Sequence, residues 1–416
     1  MSTQPGGSFD VDLSMTGQLG NRLLGELNKL RELDGIHWSE ASGGWLITRH
    51  ADVEDALQGK FPLSLRRVER IIFGPLPAEE RAQLPQLQRF IPHWPIEMDP
   101  PEHTRLRKLL VKAFSKKVVD AQRPFVQARV EMLMRKLEQQ PQLEFNEQIA
   151  RQLPGSVILK LFGLPQEHLE RLKEWANAFQ EGIGVPFADM AAKRRAETAM
   201  AEMTELFEQE IDKRRRQPGQ DDLISSLLAA TEGGDTLTED EMLGALQLVL
   251  IAGHDTTSAT LTLGMAALAG NPHLWDHMYR HPEKLLESSL ELMRYIAMST
   301  SQVRVAAEDF EWHGKRVRKG DFLFLMFAAA NRDPRVVNDP ERIDPERNND
   351  RSMVFAPGLH HCIGHMLAKM QVTEFFGALT QRFAGAEVLD RELSFMPQIA
   401  FRGLYHLNVR VTPRAK

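Results

Sequence analysis

Phe355-Ala356-Pro357-Gly358-Leu359-His360-His361-Cys362-Ile363-Gly364 carries the only cysteine of a 416-residue chain. A lone cysteine forms no internal disulfide and cannot build a four-cysteine zinc or iron–sulfur site. Most single cysteines are small buried hydrophobes. The neighbours of Cys362 argue for more. Gly358 and Gly364 leave no side chain where a flat group could lie against the backbone. The apolar spacing of Met366, Leu367, Met370 and Val372 predicts a helix directly after the loop. A thiolate at a helix start is stabilised by free backbone N–H groups and the positive end of the dipole. Cys362 therefore reads as a metal ligand or a nucleophile.

The spacing Phe-x-x-Gly-x-His-x-Cys-x-Gly resembles the haem-binding loop of the cytochrome P450 monooxygenases, with Ala356 where that family usually has glycine. Further motifs follow the family's order. In Asp99-Pro100-Pro101-Glu102-His103-Thr104-Arg105-Leu106-Arg107, the prolines precede a helix on which His103 and Arg107 share a face. Such a pair is often plain surface; the resemblance makes it a cradle for the haem propionates. Thr238 and Glu241 form a capping box that predicts a long buried helix to about Ala269. Its middle reads Ala252-Gly253-His254-Asp255-Thr256-Thr257. A buried acid beside hydroxyls is costly unless used. The segment resembles the family's oxygen-activating kink, which implies space for dioxygen at Gly253 and proton delivery by Asp255 and Thr256. His254 fills the family's variable position.

Glu291 and Arg294 alone would be an ordinary helix pair. The resemblance makes them part of a core lock whose third member is placed at Arg342, with Arg347 as the alternative. Arg304 matches the family's second propionate arginine. Met298 stands where the family usually has proline. Residues 401–409 resemble its last β-hairpin, with Asn408 in place of a frequent proline.

Elsewhere the chain is mostly helical by periodicity: 21–33, 50–59, 121–139, 146–161, 166–182, 188–216 and the start of a helix at 221. Two short strands are expected at 36–38 and 44–48, and others between Val317 and Met326. Residues 61–95 are proline-rich and read as irregular. Arg66, Arg67 and Arg70 in that stretch could meet a substrate carboxylate, although such arginines are more often solvated. The expected fold is mainly α with small β-sheets: a polar, flexible N-terminus (1–20), then one domain over 21–416.

Charged residues make up 26% of the chain and apolar ones 42%, and the net charge is −6. This suits a globular enzyme and argues against nucleic acid as a partner. One cysteine fits a reducing compartment. No signal peptide or membrane anchor is read at the N-terminus, so a cytoplasmic protein is expected.

The resemblance implies a haem-thiolate monooxygenase that inserts one oxygen atom from O2 into an apolar small molecule. Its cofactor is haem b with the Cys362 thiolate as axial ligand. His103, Arg107, Arg304 and His360 anchor the propionates, and Phe355, Gly358 and Gly364 shape the loop around the sulfur. Electrons come from a separate ferredoxin or flavodoxin, for which Lys108, Lys112, Lys116 and Lys117 offer a basic face. The alternatives are a peroxide-driven peroxygenase, against which Asp255-Thr256 argues, a cysteine hydrolase, and a non-catalytic haem-binding protein.

Overall fold

Leu23, Leu27 and Leu30 recur at helical spacing, and their burial fixes the first long helix, α1 (Arg22–Leu33). The structure is a computed structural model and describes residues 9–185, 188–231 and 234–415. The expected tail 1–20 is packed where it is described: Val11 and Leu13 are buried beside α1. A small β-region follows. Strand β1 (Ile36–Ser39) pairs antiparallel with β2 (Gly44–Ile47), and α2 spans His50–Leu57.

Residues 61–95 are not simply irregular. They hold the strand β3 (Leu63–Ser64), a π-helical turn (Glu69–Phe73) and short helices at Ala78–Arg81 and Pro85–Phe90. Two 3-10 turns follow, at Ile91–His93 and Pro95–Glu97. Proline pre-sets the first turn of a helix, so Pro85 and Pro95 start elements too short to show a periodic pattern. The helices α3 (Glu102–Ala113) and α4 (Arg123–Gln139) come next, then strand β4 (Gln142–Glu144). A π-helical turn at Asn146–Ala150 leads to α5 (Gln152–Phe162). That helix ends on Gly163 at φ +67°, where a Cβ would meet Asp222. The helices α6 (Leu169–Phe179), α7 (Met190–Arg216) and α8 (Leu223–Ala229) complete this half.

The long helix α9 (Glu239–Ala269) starts on the expected capping box: Glu241 N–H donates to Thr238 Oγ1, and Thr238 N–H to Glu241 Oε2. It runs through the helical core against α5, α7, α11 (Leu285–Ile296) and α12 (His365–Arg382), with α10 (Pro272–Arg280) joining α9 to α11. The helix is continuous, so the expected kink is no break in it. Strands β5 (Gln302–Ala306) and β6 (Phe322–Leu325) complete a five-stranded sheet of order β1-β2-β6-β5-β3, in which only β2–β6 is parallel. Strands β7 (Phe383–Val388) and β8 (Asn408–Pro413) form a second sheet with β4. Over 401–409, where a hairpin is expected, the pairing is by isolated bridges, Phe395 with Leu404 and Ser299 with Phe401, and the regular strand begins at Asn408. Among the described residues no helix is long and apolar enough to cross a membrane.

Candidate functional site

The cysteine loop is held by its backbone. Cys362 N–H donates to Phe355 O at 2.9 Å, and His361 N–H to Gly358 O at 3.0 Å. Gly358 sits at φ +101°, and a Cβ there would lie 2.5 Å from the Leu57 carbonyl oxygen. It is thus required by a close approach of α2. Gly364 is different: it caps α12, and a Cβ on it would meet nothing within 4 Å. Phe355 packs edge-on to His365, 6.0 Å between ring centres. Cys362 is solvent-accessible, yet enough protein surrounds it that burial pushes its thiol up. The Gly364 N–H and then the Arg107 charge oppose that rise. The helix start thus offers the sulfur the Gly364 N–H.

Beside the loop stands a crowd of basic side chains. Helix α3 brings His103 and Arg107, β5 brings Arg304, and the loop brings His360. The rings of His103 and His360 lie 3.8 Å apart. Both nitrogens of His103 and Nε2 of His360 are buried without a hydrogen-bond partner among the described residues. Arg107 donates to the His361 carbonyl, which ties α3 to the loop. Arg304 is buried, and its guanidinium donates to the carbonyl of Val303. Burial, then the nearby cations, pushes His360 down to about 2. Burial and Arg67 push Arg304 down to about 9, against the pull of Glu97 and Asp99. His103 is lowered by burial and by Arg107.

One residue here was not foreseen: Glu97, which pairs with Arg67 at 2.8 Å and is nearly inaccessible. Burial raises its carboxyl, while Arg67 and Arg304 pull it back. Nothing in its sequence context marks it. Unpartnered donors and crowded cations in one buried place fit a group that brings carboxylates.

Across from the loop, α9 lines a cavity of about 200 Å³ with Ala252, Asp255, Thr256 and Ala259. The other walls are mainly apolar and include Trp94, Phe179, Ile183, Met298, Met396 and Phe401. Met298 also lines a small cavity shared by Thr260 and Val354, so α9 faces the residues just before the cysteine loop. The Thr256 hydroxyl donates to Ala252 O at 2.7 Å, and Asp255 Oδ1 lies 2.7 Å from His254 Nδ1. Gly253 is not where it was expected. A Cβ on it would strike Ile158 of α5 at 2.6 Å, and Ala252, one helical turn before Thr256, faces the cavity instead. The 3.6-residue period, applied to Thr256, would have found it.

The lock behind the loop also needs correction. Arg294 makes two bonds to Glu291, at 2.8 and 2.9 Å, and both side chains are buried. The third side chain is Arg347, whose Nε donates to Glu291 Oε1 at 3.1 Å. Arg342 gives only its carbonyl, which accepts from Arg294 and Arg347.

A match to the cytochrome P450 family extends over residues 78–398, most of the chain. This chain belongs to the cytochrome P450 family. Cytochrome P450 107B1 of Saccharopolyspora erythraea is 32% identical over 391 residues, covering 92% of each protein. The mycinamicin IV hydroxylase/epoxidase of Micromonospora griseorubida is 30% identical, covering 92% of this chain and 94% of the relative. The polyketide synthase cytochrome P450 PksS of Bacillus subtilis has a solved structure that superposes with a TM-score of 0.84 at 28% identity, over 95% of this chain and 98% of its own. As a P450, the protein is a haem-dependent oxidoreductase with cysteine thiolate as the axial ligand, and Cys362 is the only cysteine available.

The basic residues expected to meet a redox partner lie on α3 (Lys108, Lys112) and on the next helical turn (Lys116, Lys117). Lys112 donates to the carbonyl of Thr231, and Lys116 pairs with Asp120, so part of this charge is already engaged.

Proposed function

We propose that the protein is a haem-thiolate monooxygenase that hydroxylates or epoxidises an uncharged, mainly apolar small molecule. The observation that carries this is the pairing of two places. Cys362 lies in a rigid loop beside unpartnered buried donors, and an apolar cavity opens on Asp255 and Thr256. When bound, haem b with a thiolate ligand activates dioxygen, the thiolate favouring O–O cleavage.

The chain's own residues do the rest. His103, Arg107, Arg304 and His360 hold the propionates, and their unmade hydrogen bonds are then satisfied. Phe355 and the Gly364 N–H shield the sulfur and tune it. Thr256, its own proton given to Ala252 O, turns its lone pairs to the cavity and orders water there. Asp255 takes protons up and passes them on. The apolar walls orient the substrate and exclude bulk water.

Electrons come from a ferredoxin or flavodoxin that docks over the lysines of α3. Val111 and Leu359, 49% and 55% exposed, add an apolar contact there. The setting that fits such a partner is the cytoplasm.

The test is the absorption spectrum of the purified protein reduced with dithionite under carbon monoxide. A strongly red-shifted Soret band is expected, and Cys362→Ser should abolish it. Haem without that band in the native protein would overturn the thiolate assignment.

A further inference from the structure

Between Gly253 and Asp255 lies His254, a side chain that the scheme above does not use. Its ring is fully buried, at 0% exposure. Nδ1 is 2.7 Å from Asp255 Oδ1, while Nε2 is buried and has no partner among the described residues. The ring sits behind the cavity wall against α5. Its Cδ2 would lie 3.3 Å from a Cβ on Gly155, so the glycine leaves the room that the imidazole fills. Asp255 itself reaches the cavity.

A charged imidazolium would bury two N–H donors here, and only one has an acceptor. A ring with a single N–H, on Nδ1, meets the one acceptor present and leaves no buried donor unpaired. A lysine or arginine in this place would clamp the carboxylate as an ion pair and hold it deprotonated. A neutral N–H fixes the direction of the carboxylate and costs it less basicity.

We propose that His254 is a positioning residue for Asp255: as the neutral Nδ1–H tautomer it holds Oδ1 and leaves Oδ2 free to exchange protons with the cavity. This rests on the monooxygenase reading. No covalent or redox step is added. His254 keeps its proton throughout, and the exchanging proton moves between Asp255 Oδ2 and cavity water.

The test uses the haem-loaded enzyme labelled with 15N-histidine, reduced and bound to carbon monoxide so that it is diamagnetic. The resonance lost in His254→Asn belongs to His254. It should report a neutral ring protonated at Nδ1, and Asp255→Asn should shift it. A ring protonated at Nε2, or a resonance indifferent to Asp255→Asn, overturns the proposal. The red-shifted band of the same sample reports separately on the thiolate haem, so failure of the broader reading shows itself independently.

A second readout is peroxide released per NADH, with surrogate redox partners and the ligand that couples the native enzyme best. His254→Leu removes the donor and should raise the leak at least about threefold. His254→Asn places an amide N–H where Nδ1 stood, and should stay within about twofold of the native enzyme. A leucine variant as tight as the native enzyme, or an asparagine variant as leaky as leucine, counts against the proposal. Should the leucine variant fail to fold, the tautomer of the native chain still decides.

Discussion

Gly358 and Gly364 flank the same cysteine and do different things. At Gly358 the backbone has φ +101°, and a Cβ would press on the Leu57 carbonyl, which cannot swing aside as a side-chain tip can. Gly358→Ala should therefore cost about 2 kcal/mol or more of unfolding free energy, read by denaturant titration of the holoenzyme. Gly364→Ala meets no protein atom, so its effect should fall on haem retention and not on the fold of the loop. If Gly358→Ala were as stable as the native chain, α2 and the loop would be able to separate, and the close approach would not be a constraint. Two glycines that look alike in the sequence thus part company in space, because only backbone angles and a neighbour far away in the chain, Leu57, distinguish them. Ala356 teaches the same. Its substitution for glycine was visible, but its left-handed φ of +51° was not. Cys362 was legible because its loop motif is local, and the shared helix face of His103 and Arg107 because they stand four residues apart. Glu97 was not, since its meaning comes from Arg67 and Arg304, which other elements supply.

At the level of elements, the long periodic helices were legible and the connections were not. The helix α9 declared itself through a capping box and a long apolar run, and both boundaries agree with expectation. The 61–95 stretch breaks into elements of two to six residues, too short for a period to register. The Glu291–Arg294 lock failed in a similar way. Its helical half, α11, was read correctly, and its irregular half was misassigned to Arg342. The chain turns at Asp339, φ +48°, and the guanidinium of Arg347 folds back onto the carbonyls of Asn338, Asp339 and Arg342. That brings Arg347 to Glu291 and leaves the Arg342 side chain exposed. Arg347→Ala should cost about 1–3 kcal/mol, because it strips a buried carboxylate of one charge-assisted bond while Arg294 stays. Arg342→Ala should lie within about 0.5 kcal/mol of the native protein. Equal losses in the two variants, measured by chemical denaturation, would restore the first assignment.

Across the whole molecule, charge is distributed so that each charged group lining the cavity is already anchored by another group. Of the charged groups that line it, Asp255 is held by His254 and Arg151 faces Glu147 at 3.5 Å. Arg402 donates to Ile296 O and Asn21 Oδ1. The three arginines considered for a substrate carboxylate are engaged elsewhere. Arg67 pairs with Glu97, and Arg66 stands 4.0 Å from Asp99 and Glu102. The Arg70 guanidinium lies over the ring of Phe322. A carboxylate entering this cavity would shed its water and meet as cations only Arg151, which faces Glu147, and Arg402, which neutral acceptors already anchor, so its desolvation would be poorly repaid. A long-chain fatty acid and its methyl ester differ in little but that charge. The ester should bind with a Kd at least about tenfold lower, a difference of about 1.4 kcal/mol, read from the ligand-induced shift of the haem absorption band. An acid that binds as tightly as its ester would mean that one of these arginines leaves its partner on binding. Arg67→Ala and Arg402→Ala would then show which, since only the arginine that meets the carboxylate would weaken the acid and spare the ester.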